Sequence, residues 1–372
     1  MRIIQYFIVT ILILSINILK AQTESALYSF FIAGHTYGAP GVNNTGLHPP
    51  FKEKFVYIQN RTEIKFGVLT GDIVSPQPIA QDWDEVDTDI DSLGLPVYFA
   101  VGNHDMENRP LFESRYGDTY YYFIYENDLF IVLDPNIDGW SILGPQLEFL
   151  QDVVYGNYEL VDNIFVFFHQ LLWWENDNIY KPYKPNSTAG VIRPTNFWTE
   201  IEPLFNQLPN QVVFCAGDMG AADWSSDFVY DSYDNINIVG SGMGESIGDN
   251  FVVINVNENK SINYDLICLN DSTLECFGEL TDYQISPNGY NESYTFNIKM
   301  YPNPATDNFT IELEKNISVT IQLFNINGKL LFEEQFENSY KQNIDISYLP
   351  KGLYFVKTTS DLNHIVTKLI IQ

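Results

Sequence analysis

Basic side chains are scarce in this chain of 372 residues, where 19 Lys and Arg stand against 48 Asp and Glu for a formal charge of −29. Holding a polyanion requires clustered cationic groups, so nucleic acid and anionic membrane surfaces are excluded as partners. Such a balance fits a soluble exported protein or one that attracts cations. Cysteine is scarce as well. Cys215 lies within an apolar run and reads as a small core residue, whereas Cys268 and Cys276, in an exported chain, could close a small loop, a pairing that spacing alone does not establish. Histidine occurs five times, so the position of each is informative.

One apolar run, Ile3 to Leu19, approaches membrane-spanning length. It follows Met1-Arg2 and ends in Lys20-Ala21-Gln22, the pattern of a secretory signal cleaved near Ala21. A retained membrane anchor is the competing reading, and Gln5, Ser15 and Asn17 weaken it. The whole chain, 45% apolar with six Trp, 24 Tyr and 26 Phe, has ample material for a packed core. Its length suggests two domains.

From the amino terminus, Tyr28 to Ala33, Phe66 to Thr70 and Val97 to Val101 read as buried strands, with helices expected over Phe51 to Ile64 and Gln81 to Ser92. Tyr120 to Tyr125 and Leu129 to Leu133 read as paired strands and Gln146 to Val154 as a helix. Ile164 to Phe168 and Val212 to Ala216 are further buried strands, separated by an aromatic, Pro-rich loop and a helix over Phe197 to Leu208. Strands near Ile236 to Val239, Phe251 to Val256 and Ile262 to Ile267 complete this region. A polar linker over 286–298 follows. Beyond it, Asn308 to Leu313 and Val319 to Leu323 alternate polar and apolar residues, and Asn327-Gly328 signals a hairpin to Leu330. The expected division is a signal peptide over 1–21, a main domain over 22–285, a linker over 286–298 and a small β-sandwich over 299–372.

The histidines carry the chemistry. His35, His104 and His169 each close an expected strand, and Asp72 closes another. Scattered surface or core histidines would not fall on strand ends, which is where open α/β sheets gather their sites. Carboxylates, imidazoles and the Asn103 carbonyl converging at one sheet edge point to a metal site.

Gly71-Asp72, Gly102-Asn103-His104-Asp105 and His169, each after a strand and in this order, resemble the calcineurin-like metallophosphoesterases. Arg115 to Tyr122, Phe130 to Asp134 and Pro145 to Leu150 resemble the middle section of that family. The resemblance implies an α/β four-layer sandwich, two central mixed β-sheets flanked by helices, with a two-ion site that hydrolyses phosphoesters. It implies that Asp72 bridges two divalent ions, that His35 serves the first and that Asn103 and His169 serve the second. His104 would protonate the leaving oxygen, and Asp105 would orient the His104 ring by accepting a hydrogen bond from it.

The sequence departs from that pattern at two motifs. Ala33 stands where an aspartate is expected, and Gly217-Asp218-Met219-Gly220 where the family has Gly-His-x-His. The first ion keeps only His35 and Asp72, with His48 as a possible substitute. The second keeps Asp72, Asn103, His169 and Asp218, a set of three oxygens and one nitrogen that suits Mn, Mg or Ca better than Zn, with Fe left open. The expected function is a metal-dependent phosphoester hydrolase working with one or two divalent ions. The alternative is a phosphoesterase-fold binding protein with little turnover. The segment Leu171 to Tyr183 would give either an apolar wall or a sugar-stacking surface, unless it is simple packing.

The tail resembles a second family. Tyr301-Pro302-Asn303-Pro304-Ala305, Gly352 to Val356 and Lys368 to Ile371 resemble the C-terminal sorting domain of the type IX secretion system. That resemblance implies a Bacteroidota-type protein, secreted or attached to the cell surface, with the type IX machinery as a partner.

Overall fold

A computed structural model of the chain describes residues 26–41, 46–188, 194–222, 224–246, 248–270, 279–285, 298–325, 330–360 and 364–372. The expected signal peptide, nearly all of the expected linker, Cys276 and the Asn327-Gly328 turn lie outside the described residues.

Two mixed sheets form the main body. The first runs β11-β10-β1-β2-β3, in which β1 (Ala26–Ala33), β2 (Ile64–Thr70) and β3 (Val97–Ala100) are parallel, and β10 (Asn250–Asn257) and β11 (Ile262–Cys268) join antiparallel. The second runs β4-β5-β6-β7-β9-β8. Here β5 (Asp128–Val132), β6 (Asn163–Phe167), β7 (Gln211–Ala216) and β9 (Ile236–Ser241) are parallel, with β4 (Tyr121–Tyr125) and β8 (Phe228–Tyr233) antiparallel at the two edges.

The side-chain period of a strand explains the layers. In β1, Phe30 and Ile32 join Phe66, Phe130, Phe165, Phe167 and Val213 in the core between the sheets. Their neighbours Phe31 and Ala33 face the other way, onto a second core with Phe51, Trp83 and Phe112 beneath the helices. A third core, containing Leu150, Val154 and Phe205, covers the outer face of the second sheet. Both faces of the inner strands are therefore apolar, which is why β1, β5 and β6 read as continuous apolar runs rather than alternating ones. Phe30 sits at the centre, stacked on Phe66 at 5.1 Å and edge-on to Phe165 at 5.0 Å.

The helix α3 (Ala80–Leu93) buries Trp83, Val86 and Leu93 on one face; Gly94, at φ 73°, ends it in a left-handed turn. At its start the Asp82 carboxylate accepts the Ile79 N–H at 2.8 Å, satisfying an amide that the helix leaves open. The helix expected over Phe51 to Ile64 is two short ones, α1 (Pro49–Glu53) and α2 (Phe55–Asn60), and the chain is extended again by Ile64. The strand β8 was not expected: its Asp231 and Ser232 mask the apolar pattern, although Asp231 is buried and accepts a hydrogen bond from the Tyr180 hydroxyl at 2.7 Å. No helix among the described residues is long and apolar enough to cross a membrane. Cys268 is disulfide-bonded and Cys215 is a free thiol buried in the central core.

The tail is a separate all-β unit. The two strands expected at Asn308 to Leu313 and Val319 to Leu323 are one, β13 (Asn308–Asn325). Along one side it pairs with β14 (Leu330–Asp345); on the other, β12 (Ile298–Tyr301) lies beside its first half and β15 (Gly352–Ser360) beside its second. The last strand, β16 (His364–Ile371), pairs with β15, and Phe309, Ile311, Ile321, Val356 and Leu369 form the core.

Candidate active site

The parallel strands of both sheets end at one edge of the main body, and five of them deliver a polar side chain just past their last apolar residue. His35 follows β1, Asp72 follows β2, Asn103 and His104 follow β3, His169 follows β6 and Asp218 follows β7. Close approach of the loops needs glycine. A Cβ on Gly102 would fall onto the Asp72 carboxylate, and one on Gly71 would fall onto the His169 ring. Gly102→Ala is therefore expected to lower stability by about 1–3 kcal/mol, as overpacking does. A reduced midpoint in urea would show it, and an unchanged midpoint would contradict this packing.

Asp72 is the hub. It is buried, with φ 49°, a conformation that a non-glycine residue holds only when its surroundings enforce it. Its Oδ1 accepts the His104 N–H at 3.0 Å. Its Oδ2 lies 3.3 Å from His169 Nε2, 3.6 Å from His104 Nδ1 and 3.9 Å from His35 Nε2. His169 Nε2 is also 3.7 Å from Asp218 Oδ1. Backbone carbonyls fix two of the rings: His169 Nδ1 lies 2.8 Å from Thr70 O, and His35 Nδ1 lies 3.0 Å from Met243 O. With Nδ1 donating to a carbonyl, Nε2 is the nitrogen left to act as a lone-pair donor, the usual arrangement of a metal-ligating histidine.

Burial disfavours charge on Asp72, but His169, His104 and His35 outweigh it and hold this carboxyl well below the usual range. Burial likewise opposes a charge on His169, yet Asp72, Asp218 and the Thr70 carbonyl raise it to about 9. His35 goes the other way, lowered to about 4 because burial prevails over Asp72. The negative field of Asp72 and Asp218 is thus concentrated at His169, which holds a proton on Nε2 that a bound ion would displace.

Donors about 2.1 Å from a common ion stand about 3.0–3.4 Å apart, close to the 3.3 and 3.7 Å that separate His169 Nε2 from Asp72 and Asp218. Asn103 Oδ1 and His169 Nε2 are buried without a hydrogen-bond partner among the described residues, as groups awaiting a ligand would be. In donor chemistry these residues suit one divalent ion. The other half does not: Ala33 is buried and has no donor, and a Cβ on Gly220 would run into the backbone at Gly242 and Met243. Among the described residues no group of three or more His, Cys, Asp or Glu stands close enough together to hold a metal ion as placed. What is present is pairwise, with Asp72 common to three imidazoles. His48 offers no substitute there, since its Nε2 pairs with Asp249 Oδ2 at 3.7 Å.

Asp105 has a different task from the one expected. It does not touch the His104 ring: its Oδ1 accepts the N–H groups of Ile73 and Val74 at 2.9 and 3.1 Å, and its Oδ2 accepts that of Gly102 at 2.7 Å. It ties the loop after β2 to the loop after β3. Burial and the nearby Asp72 raise its carboxyl to about 7, against the pull of these amides.

Tyr37 is a member of the site that sequence reasoning missed. Its buried ring lies 4.4 Å from that of His35 and 5.3 Å from that of His104, and its backbone N–H donates to Asp72 O at 3.2 Å. Burial and the carboxylates of Asp72, Asp218 and Asp105 push its phenol upward, so it stays neutral. The only sequence signal was an aromatic residue two positions after a strand-end histidine. The aromatic segment, in contrast, is packing. Leu171, Leu172, Trp173, Trp174 and Tyr180 are all buried, not a stacking surface.

Residues 43–193 match the calcineurin-like phosphoesterase family, and residues 299–372 match the secretion system C-terminal sorting domain. Asp72, Asn103, His104, Asp105 and His169 fall within the first match, while His35 and Asp218 lie outside it. Among curated proteins the chain is similar to ulvan lyase NLR42 of Nonlabens ulvanivorans, 32% identical over 76 residues, 20% of this chain and 14% of that protein. An endo-acting ulvan lyase of Formosa agariphila is 28% identical over 74 residues, with the same shares. The chain thus spans about one seventh of the length of these curated relatives. Among solved structures, a purple acid phosphatase from yellow lupin (Lupinus luteus) seeds is 14% identical, covering 66% of this chain and 52% of its own, with a TM-score of 0.48.

Proposed function

From a chain that joins a calcineurin-like phosphoesterase domain to a secretion system C-terminal sorting domain, and is thereby secreted or held at the cell surface, we propose a metal-dependent phosphoester hydrolase working with a single divalent ion. The observation that carries this reading is His169. It is buried, tethered through Nδ1 to Thr70 O at 2.8 Å, and turns Nε2 to Asp72 and Asp218 at 3.3 and 3.7 Å. Asp72, Asn103, His169 and Asp218 would hold the ion. Hard oxygen donors favour Mn, Mg or Ca over Zn. When bound, such an ion supplies Lewis-acid polarisation of a phosphoryl oxygen and a lowered pKa for water.

The chain's own residues supply the rest. The side chain of His104 is 21% exposed, against 0–3% for those of His169, Asp72 and His35, so it is the imidazole within reach of a leaving group. It donates a proton to the departing oxygen. Asp105 keeps the loops bearing Asp72 and Asn103 in register, and Tyr37 packs its ring against His35 and His104. The sorting domain takes the type IX secretion machinery as its partner.

Chelation tests the reading. Full-length protein stripped with EDTA is expected to lose hydrolysis of bis-p-nitrophenyl and p-nitrophenyl phosphate, and to regain it with Mn, Mg or Ca. Turnover that survives stripping would contradict it. Bound ion at one per chain without turnover, together with stabilisation by phosphate, would favour the binding-protein alternative.

A further inference from the structure

We propose that Asn186 is the positioning residue for Asp218, a clasp that holds the Asp218–Ala221 loop in its ligand-ready shape before any ion arrives. The inference rests on the reading of Asp218 as an ion ligand given above. Three hydrogen bonds from one residue reach three peptide groups of that loop. The Asn186 N–H donates to Asp218 O at 2.9 Å, its Nδ2 donates to Met219 O at 3.1 Å, and its Oδ1 accepts the Ala221 N–H at 2.9 Å. A carboxamide offers donor and acceptor side by side, and at this length it bridges a carbonyl and an amide as a paired strand would.

The loop needs a brace. Gly220 turns it at φ 75°, and none of residues 217–222 belongs to a strand that could share its peptide groups. From one side the N–H groups of Gly217 and Asp218 both donate to His169 O at 2.9 Å. Asn186 closes the other side. The grip extends along the chain, because Lys184 N–H donates to Ser226 Oγ at 3.0 Å and Ser226 N–H donates to Lys184 O at 2.9 Å. Asp218 is thus held between the strand end that presents His169 and a segment from the long β6–β7 connection. Supports of this kind hold a ligand in place, and their loss usually weakens ion binding about 10–100-fold.

The test uses full-length protein and two variants. Asn186→Ala removes both side-chain bonds, whereas the milder Asn186→Asp keeps the acceptor for Ala221 and opposes a carboxylate to Met219 O. Calorimetric titration with Mn is expected to show binding at least about tenfold weaker in Asn186→Ala, with Asn186→Asp between it and wild type. Hydrogen exchange of the metal-free proteins is expected to speed up at residues 219–222 while β6 and β7 keep their protection. Unchanged Mn affinity in both variants overturns the proposal, whatever the exchange shows. Exchange that accelerates throughout β6 and β7 also overturns it, because Asn186 would then act on global stability. Wild-type protein that binds no Mn overturns the ion reading itself. The clasp would then stand on faster exchange confined to 219–222 and fall without it.

Discussion

Asp72→Ala is expected to lose ion binding and hydrolysis together, with kcat/KM falling by about 10³-fold or more, since the charge that holds the ion and the polarisation the ion supplies vanish in one step. No other side chain faces so many of the site's groups. Asp72 Oδ2 is shared by His169, His104 and His35, and Oδ1 holds the His104 backbone. Its removal also leaves the buried His169 imidazolium without its nearer counter-charge, so a lower melting temperature is expected beside the lost activity. Calorimetry with Mn and steady-state kinetics on the same preparation would check this. A variant that keeps its ion, or whose kcat/KM stays within threefold of wild type, would show that Asp72 is not the hub.

His104→Ala is expected to behave differently, losing about 10²–10⁴-fold in kcat, the range for a positioned general acid, while Mn affinity stays near wild type. Its ring reaches Asp72 only at 3.6 Å and is the exposed member of the group, so the ion set survives without it. The chemistry gives a sharper sign. A p-nitrophenolate leaves with little help from an acid, whereas an alkoxide does not, so the loss should be far smaller for p-nitrophenyl esters than for alkyl phosphoesters. Equal losses on both substrates would remove His104 from the role of acid. Asn103→Ala belongs with Asp72, since its buried Oδ1 is a ligand in this account, and it should weaken Mn binding.

Much of the site was legible because each strand announces its own end. The apolar runs of β1, β2, β3 and β7 stop at a glycine followed by His, Asp or Asn, that of β6 runs straight into His169, and glycines such as Gly71 and Gly102 allow the loops to meet. The losses at Ala33 and Gly220 were readable too, because an absent donor shows in the sequence as plainly as a present one. Contacts between loops were not. Asp105 stands next to His104, yet in the 3-10 turn at 105–108 its carboxylate points away from that ring to the amides of Ile73, Val74 and Gly102. The brace at Asn186 joins positions more than thirty residues apart, and no periodicity encodes it. The buried faces of Trp173 and Trp174 were equally hidden, since an aromatic loop that packs inward has the composition of one that binds outward. In the tail, the two strands expected at Asn308 to Leu313 and Val319 to Leu323 are one, because β13 continues between them while its register with β14 shifts.

The most direct test of the single-ion hydrolase is to titrate Mn into metal-free, full-length protein while following hydrolysis of bis-p-nitrophenyl phosphate. The account predicts activity that rises linearly and levels off at one ion per chain. A rise continuing to two ions, or no hydrolysis at any ratio, would contradict it.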